Sequence, residues 1–263
     1  MTDPGRSGLG DFLRSRREKL SPEDFGLANG RRRRTAGLRR EEVAELADIG
    51  VDWYIRLEQG RAVSPSATTI DALARALRLD TVEHAHLRAL ARKPDRPAFT
   101  RETVPAPIRR LVEGLNRPAY VTGRRWDVLA WNAAATAVFT DFGRLSGKDR
   151  NILVYLLTTP DARRLFGPKW AAEAKRVVGQ FRAAHDLWAD DPAFTELLER
   201  LRRECPEFPK WWKTHDIRTN EGGRKTLHHP EKGELHFEYA TFQANDDPAL
   251  KLAIYTPVTS TAL

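Results

Sequence analysis

Val51, Asp52 and Arg56 fall on one side of the short helix that residues 51 to 59 predict. Trp53 lies partly beside them, and Tyr54 and Leu57 fall on the other side. The first set carries the chemistry of base reading. An exposed guanidinium such as that of Arg56 can pair bidentately with guanine, worth about 1–3 kcal/mol of discrimination, and an aliphatic side chain such as Val51 can touch the methyl group of thymine. Asp52 can accept a hydrogen bond from cytosine or cap its own helix, and both roles stay open. Tyr54 and Leu57 make an inward stripe that would hold the helix to a core.

The elements needed to present these side chains are legible around them. In RREEVAELADIGVDWYIRLEQG, residues 39 to 60, Val43, Ala44 and Ala47 give a preceding helix a small apolar face. Asp48-Ile49-Gly50 predicts the turn, and Gly60 can take the left-handed conformation that ends a helix. This is the spacing of a DNA-reading helix-turn-helix. Arg39, Arg40 and Arg61 flank it, and Arg31, Arg32, Arg33 and Arg34 form a run just ahead of it. Residues 1 to 40 hold 11 Lys/Arg against 5 Asp/Glu, so most of the net charge of +8 lies beside the motif. Such a cluster supplies sequence-independent affinity for phosphate. The Arg31–Arg34 run reads either as a loop that tracks the DNA backbone or enters the minor groove, or as a merely solubilising segment.

The same half predicts further helices. Leu9, Phe12, Leu13 and Leu20 mark the first, ended by Ser21-Pro22. Ser64-Pro65-Ser66 starts another, with Ile70, Leu73, Ala74 and Leu77 at i, i+3, i+4 and i+7. Asp80 and Glu83 predict a capping box before a fifth helix through Leu87 and Leu90. The fold class read from the chain is α+β. Residues 1–93 form a five-helix all-α helix-turn-helix domain, the proline-rich 94–107 a linker, and 108–263 a second domain. In the second domain Ile108, Leu111, Val112 and Leu115 make a helical stripe. Strands are expected near 119–122 and 126–131, helices from Asn132 through Phe139 and near 151–158, 168–188 and 193–204, then strands near 224–229, 234–243 and 250–256. An antiparallel five-stranded sheet with helices on one face satisfies this order, which is that of a PAS-like domain, a layer arrangement that often encloses an apolar pocket.

Composition narrows the function classes. No apolar run approaches the roughly 20 residues of a membrane span, and the N-terminus lacks a signal-peptide core, so a cytoplasmic location is the expectation. Cys205 is the sole cysteine, which excludes an internal disulfide and a multi-cysteine metal site. No GxSxG elbow, phosphate loop or HExxH pair occurs, so neither catalytic residues nor metal ligands are assigned, and Cys205 before Pro206 reads as an ordinary thiol.

The segments LGDFLRSRREKLSPEDFGL, RRRRTAGLRREEVAELA, LEQGR and PSATTIDALARALRLD, followed by PAYVTGRRWDVLAWNAAATAVF, WWKTHD, KTLHHPEKGELHFEYATF and AIYTP, resemble the MmyB-like transcriptional regulators. The resemblance runs from about Leu9 to Pro257. It implies an Xre/Cro-type helix-turn-helix, a C-terminal PAS-like ligand-binding domain, and a fatty acid or similar lipophilic molecule as ligand. The family's docking mode implies that Val51, Asp52, Trp53 and Arg56 reach base edges in the major groove. It also implies that Arg40 holds a phosphate, with Arg39 and Arg61 doing likewise. The chain departs from the pattern at Gly50, where such repressors carry a Ser or Thr cap. Glu58 is expected to be structural, paired with Arg14 or Arg16.

For the ligand, Trp131, Phe139, Phe166, Phe181, Trp211 and Trp212 are wall candidates, with Phe142, Val154, Leu157 and Val178 behind them; ordinary core packing accounts for the same residues. His215, beside Asp216, and Arg218, with Lys225 nearby, are polar candidates for a headgroup, or else surface residues. The expected partners are double-stranded DNA with a pseudo-palindromic operator, a lipophilic effector, and a second copy of the chain in a homodimer; no cofactor is expected beyond that bound molecule. An antitoxin-like protein, its second domain binding another protein, is the alternative.

Overall fold

The structure, a computed structural model, describes residues 7–27, 37–61, 64–92, 98–214 and 222–258. The chain divides into two compact units, one comprising Met1–Pro97, His185–Thr195 and Thr214–Ile217, the other Ala98–Ala184, Glu196–Lys213 and Arg218–Leu263. The two late segments grouped with the first unit depart from the simple division at 93 and 108. For His185–Thr195 that grouping comes through contacts distant in sequence, which no local pattern announces. Part of the expected linker, 94–97, lies outside the described residues; 98–105 holds no helix or strand, and the second unit's first helix already starts at Ala106.

In the first unit, helices α1 (Ser7–Lys19), α2 (Arg40–Leu46), α3 (Val51–Glu58), α4 (Ala67–Ala76) and α5 (Thr81–Ala91) surround a core of Phe12, Leu13, Val43, Tyr54, Leu57, Ile70, Leu73 and Leu87. The expected capping box is present: Glu83 N–H donates to Asp80 Oδ1 at 2.8 Å and Asp80 N–H to Glu83 Oε2 at 3.3 Å. The cap of α4 is Ser66, whose oxygen accepts from Thr69 N–H, so Pro65 stands before the helix and not in its first turn. Between α2 and α3 the left-handed residue is Asp48, at φ 52°, and Ile49 N–H returns to the Ala44 carbonyl at 2.9 Å. Asp is one of the few residues that tolerate this conformation. Gly60, at φ 67°, ends α3 as its position predicts.

The second unit opens with α6 (Ala106–Gly114), then strands β1 (Ala119–Thr122) and β2 (Val128–Trp131). Helices α7 (Ala133–Thr136), α8 (Ile152–Thr158), α9 (Pro160–Phe166), α10 (Trp170–Leu187), α11 (Pro192–Glu204) and α12 (Phe208–Lys213) follow, the end of α10 and the start of α11 being grouped with the first unit, and β3 (Gly223–His229), β4 (Gly233–Gln243) and β5 (Lys251–Pro257) close the second unit. The sheet is antiparallel in the order β2-β1-β5-β4-β3, so the first and last strands meet at its centre. The PAS-like α+β layering is therefore the fold. Asn132 caps α7 as expected, but that helix ends at Thr136, short of Phe139.

Pleating sorts the strand residues. Ala119, Val121, Ala130, Leu252 and Ile254 pack with Val112, Ile108 and Leu115 of α6 on one face. Tyr120, Thr122, Lys251, Ala253 and Tyr255 share the other, toward α8–α10.

Gly10 marks the tightest approach in the first unit. A Cβ there would collide with the carbonyl oxygen of Glu58 at the end of α3. Gly10→Ala is expected to lower stability by about 1–3 kcal/mol through this backbone clash, measured by urea denaturation. A variant as stable as the parent chain would contradict the packing of α1 on α3.

Candidate nucleic-acid interface and ligand cavity

Helix α3 holds its side chains as its periodicity predicts. Val51, Asp52 and Arg56 are exposed, Trp53 is half-buried against the core, and Tyr54 and Leu57 are fully inside. The helix starts at Val51, with Gly50 as an extended cap residue (φ −64°, ψ 134°) that offers no side-chain acceptor. Asp52 sits in the first turn, where its charge favours the helix dipole. Arg39 and Arg61 are exposed at the two ends of the motif, and Arg39 N–H is taken by Glu42 Oε2 at 2.6 Å. Arg31–Arg34 lie outside the described residues.

Beneath this surface lies a buried ion cluster. The Glu58 side chain is 1% exposed and that of Arg17 3%. Arg17 donates from Nε to Glu58 Oε2 at 2.8 Å and from Nη2 to Oε1 at 2.9 Å, and its Nη1 reaches the Leu38 carbonyl at 2.8 Å. Arg40 completes the set, donating from Nε to Glu58 Oε1 at 2.9 Å. Glu58 is thus structural, but its partners are Arg17 and Arg40. Arg14 instead pairs with Glu18 and Arg16 with Glu83, because their directions around α1 take them away from α3. Burial alone raises the pKa of Glu58. The hydrogen bonds and charges of the two arginines outweigh it and hold the carboxyl below its ordinary value. Arg40, 40% exposed, therefore has one side on Glu58 and the other toward solvent.

The second unit encloses a cavity between the inner face of the sheet and helices α8–α10. Its floor comes from alternate strand residues, Tyr120 and Thr122, Tyr239 and Thr241, and Lys251, Ala253 and Tyr255. Its roof includes Ile152, Tyr155 and Leu156 of α8, Phe166, and Glu173, Arg176, Val177 and Gln180 of α10. Trp126 closes part of the wall from an unusual backbone, φ 67°, fixed by its N–H on the Gly123 carbonyl and its carbonyl on Ile152 N–H, both at 3.0 Å.

One end of the cavity is polar. Glu173 accepts from Arg176 Nε at 2.9 Å and Nη2 at 2.6 Å, and from Lys225 Nζ at 2.6 Å. Lys225 also lies 4.1 Å from the centre of the Tyr239 ring and 3.4 Å from the Tyr255 hydroxyl, which meets the Tyr120 hydroxyl at 3.2 Å. Burial raises the pKa of Glu173, yet the hydrogen bond of Arg176 and the charge of Lys225 bring it down to about 2.

Of the wall candidates, Phe139 and Phe166 line this cavity and Trp131, Phe181, Trp211 and Trp212 do not. Trp131 packs on Phe142 under the Arg150 guanidinium. Phe181 lies between the rings of Trp126 and Trp212, Trp212 stacks on Phe208 below Arg182, and Trp211 packs on Trp170. Phe181 and Trp212 are buried among the helices, whereas Trp131, on β2, and Trp211 are half-buried. Phe142, Val154, Leu157 and Val178 are likewise buried behind the cavity. His215 and Arg218 lie outside the described residues, whereas Lys225 is in the wall. The tyrosines, Glu173, Arg176, Gln180 and Lys251 are wall residues that residue type alone passed over. Their signal was available in spacing: Glu173, Arg176, Val177 and Gln180 fall at i, i+3, i+4 and i+7 of one helix.

Residues 104–262 match the model of the MmyB-like transcription regulator ligand binding domain, well over half of the chain. The chain belongs to this family. Residues 8–87 match a helix-turn-helix domain, which makes the first unit the DNA-binding part and the second the effector-binding part of a transcription regulator. No curated protein matches the chain. Both matched domains are regulatory, and no helix among the described residues is long and apolar enough to cross a membrane. Cys205 is buried, and that burial pushes its thiol above the ordinary value.

Glu58→Gln is expected to cost about 3–5 kcal/mol at pH 7, since it leaves Arg17 buried without its counter-charge. Because folding holds the Glu58 pKa down, its contribution is complete above the ordinary value of 4.5 and is lost as pH falls through the lower folded value. The gap between parent and variant in urea denaturation should therefore narrow below about pH 4.5. A gap that stays constant down to pH 3 would contradict the ionic role.

Proposed function

We propose that this regulator is a cytoplasmic homodimer that reads a pseudo-palindromic operator through α3 and is controlled by a fatty acid or similar lipophilic molecule held in the cavity of its second unit. The observation that carries this reading is the cavity itself: a tyrosine- and phenylalanine-lined space in the unit whose family is defined by ligand binding. Val51 and Arg56 supply the base contacts, with Trp53 beside them. Asp52 caps the helix or meets cytosine. Arg39, Arg61 and the outer side of Arg40 hold phosphates, and Arg31–Arg34 add charge nearby. One recognition helix covers only a short half-site, so two copies are needed for a long operator. Control follows if the effector binds the DNA-competent and DNA-incompetent arrangements with different affinity.

The preferred site, selected from random duplexes, gives the test. Arg56→Ala should weaken binding to that site by about tenfold or more, with little change on unrelated DNA. A loss below about threefold would remove α3 as the reader. Native mass spectrometry of the full chain tests the other half. A lipid-sized adduct supports the effector reading, and a bound protein in its place supports the antitoxin-like alternative.

A further inference from the structure

The charges in the cavity wall do not balance. Among the described residues of the lining, Arg176, Lys225 and Lys251 supply three cations and Glu173 the one carboxylate. Glu173 already accepts from both Arg176 and Lys225, so its charge is committed at that end. Lys251 has no such partner. Among the described residues no carboxylate pairs with it, and its cross-strand neighbours, Thr122 on β1 and Gln243 on β4, are neutral. It sits on the central strand of the sheet, with Ala253 as the next residue on the same face. Partial burial without an opposing charge lowers its pKa, which is the mark of an ammonium left short of solvation.

Resting on the effector reading above, we propose that Lys251 is the anion anchor of the cavity. The effector is an amphiphile with a single negatively charged headgroup. The headgroup pairs with Lys251, and the apolar body runs along β5 over Ala253 toward Tyr255, Phe139 and Phe166. Lys251 and Tyr255 are four residues apart, a span of about 13 Å at strand spacing, enough for a medium-length alkyl chain. In the Glu173–Arg176–Lys225 cluster at the far end both cations are held on Glu173, which shapes that end of the cavity, whereas Lys251 has no carboxylate partner among the described residues and is left to meet the effector's charge.

The test uses delipidated full-length protein and calorimetric titration with two probes of equal length, dodecanoate and dodecan-1-ol. The parent chain should bind dodecanoate at least tenfold more tightly than the alcohol. Lys251→Met, which keeps the side-chain length and removes the charge, should bring the two probes within about twofold of each other while still binding the alcohol. Lys225→Met should retain the preference. No preference in the parent chain, a preference that survives Lys251→Met, or one that disappears only with Lys225→Met would each overturn the anchor while leaving the effector reading intact. Failure of the parent chain to bind either probe would remove the effector reading and the anchor with it. Thermal unfolding of Lys251→Met should occur at or above the parent temperature, which guards against loss of binding through misfolding.

Discussion

A carboxylate taken out of water must meet opposing charge and hydrogen bonds at once, or it destabilises whatever contains it. This constraint organises both halves of the chain. In the first unit Glu58, at the end of the reading helix, is clamped by Arg17 of α1 and Arg40 of α2, so one carboxylate fixes three helices relative to one another. In the second, Glu173 of α10 is clamped by Arg176 of its own helix and Lys225 of β3, tying the helical layer to an edge strand of the sheet. Hydrophobic packing fills both units. These two charged joints specify which surfaces face inward, since sliding either helix by one residue would strip a buried ion of its partners.

The joints differ in what they leave over. Around Glu58 the arginines serve folding, and Arg40 alone also faces solvent. In the proposed DNA complex, binding and structure share one side chain: whatever Arg40 meets outside is felt by Glu58, the residue that ends α3. Around Glu173 the structural ions occupy one end of a cavity whose middle is apolar. The protein keeps its own buried charges satisfied there and presents the remaining space to a guest.

Local patterns carried most of the fold. The strand limits at 119–122, the Asp80–Glu83 box and the Asn132 cap follow from side chains that act on their own neighbourhood. The outward set on α3 follows from a 100° rotation per residue. Two short helices, α9 and α12 of seven and six residues, went unread, although α8, also of seven residues, was expected near 151–158. Pairings between distant residues were harder still. Glu58 was legible as structural, but choosing Arg17 over Arg16, one residue away, requires the phase of α1 against α3, a tertiary quantity. The cavity suffered the same loss. Residue type pointed to Trp211 and Trp212, which pack among helices, and passed over tyrosines whose alternation along β1, β4 and β5 placed them on one face.

Those tyrosines give the cavity a particular mechanical character. Tyr120 and Tyr255 meet through their hydroxyls, Tyr239 stacks on Tyr255 at a 24° interplanar angle, and the Tyr155 hydroxyl is held by the Phe139 carbonyl at 2.8 Å. A lining of methionines would yield to guests of many shapes. Rings held by hydroxyl bonds and stacking behave as a gauge: a guest too wide for them presses on the strands that carry them.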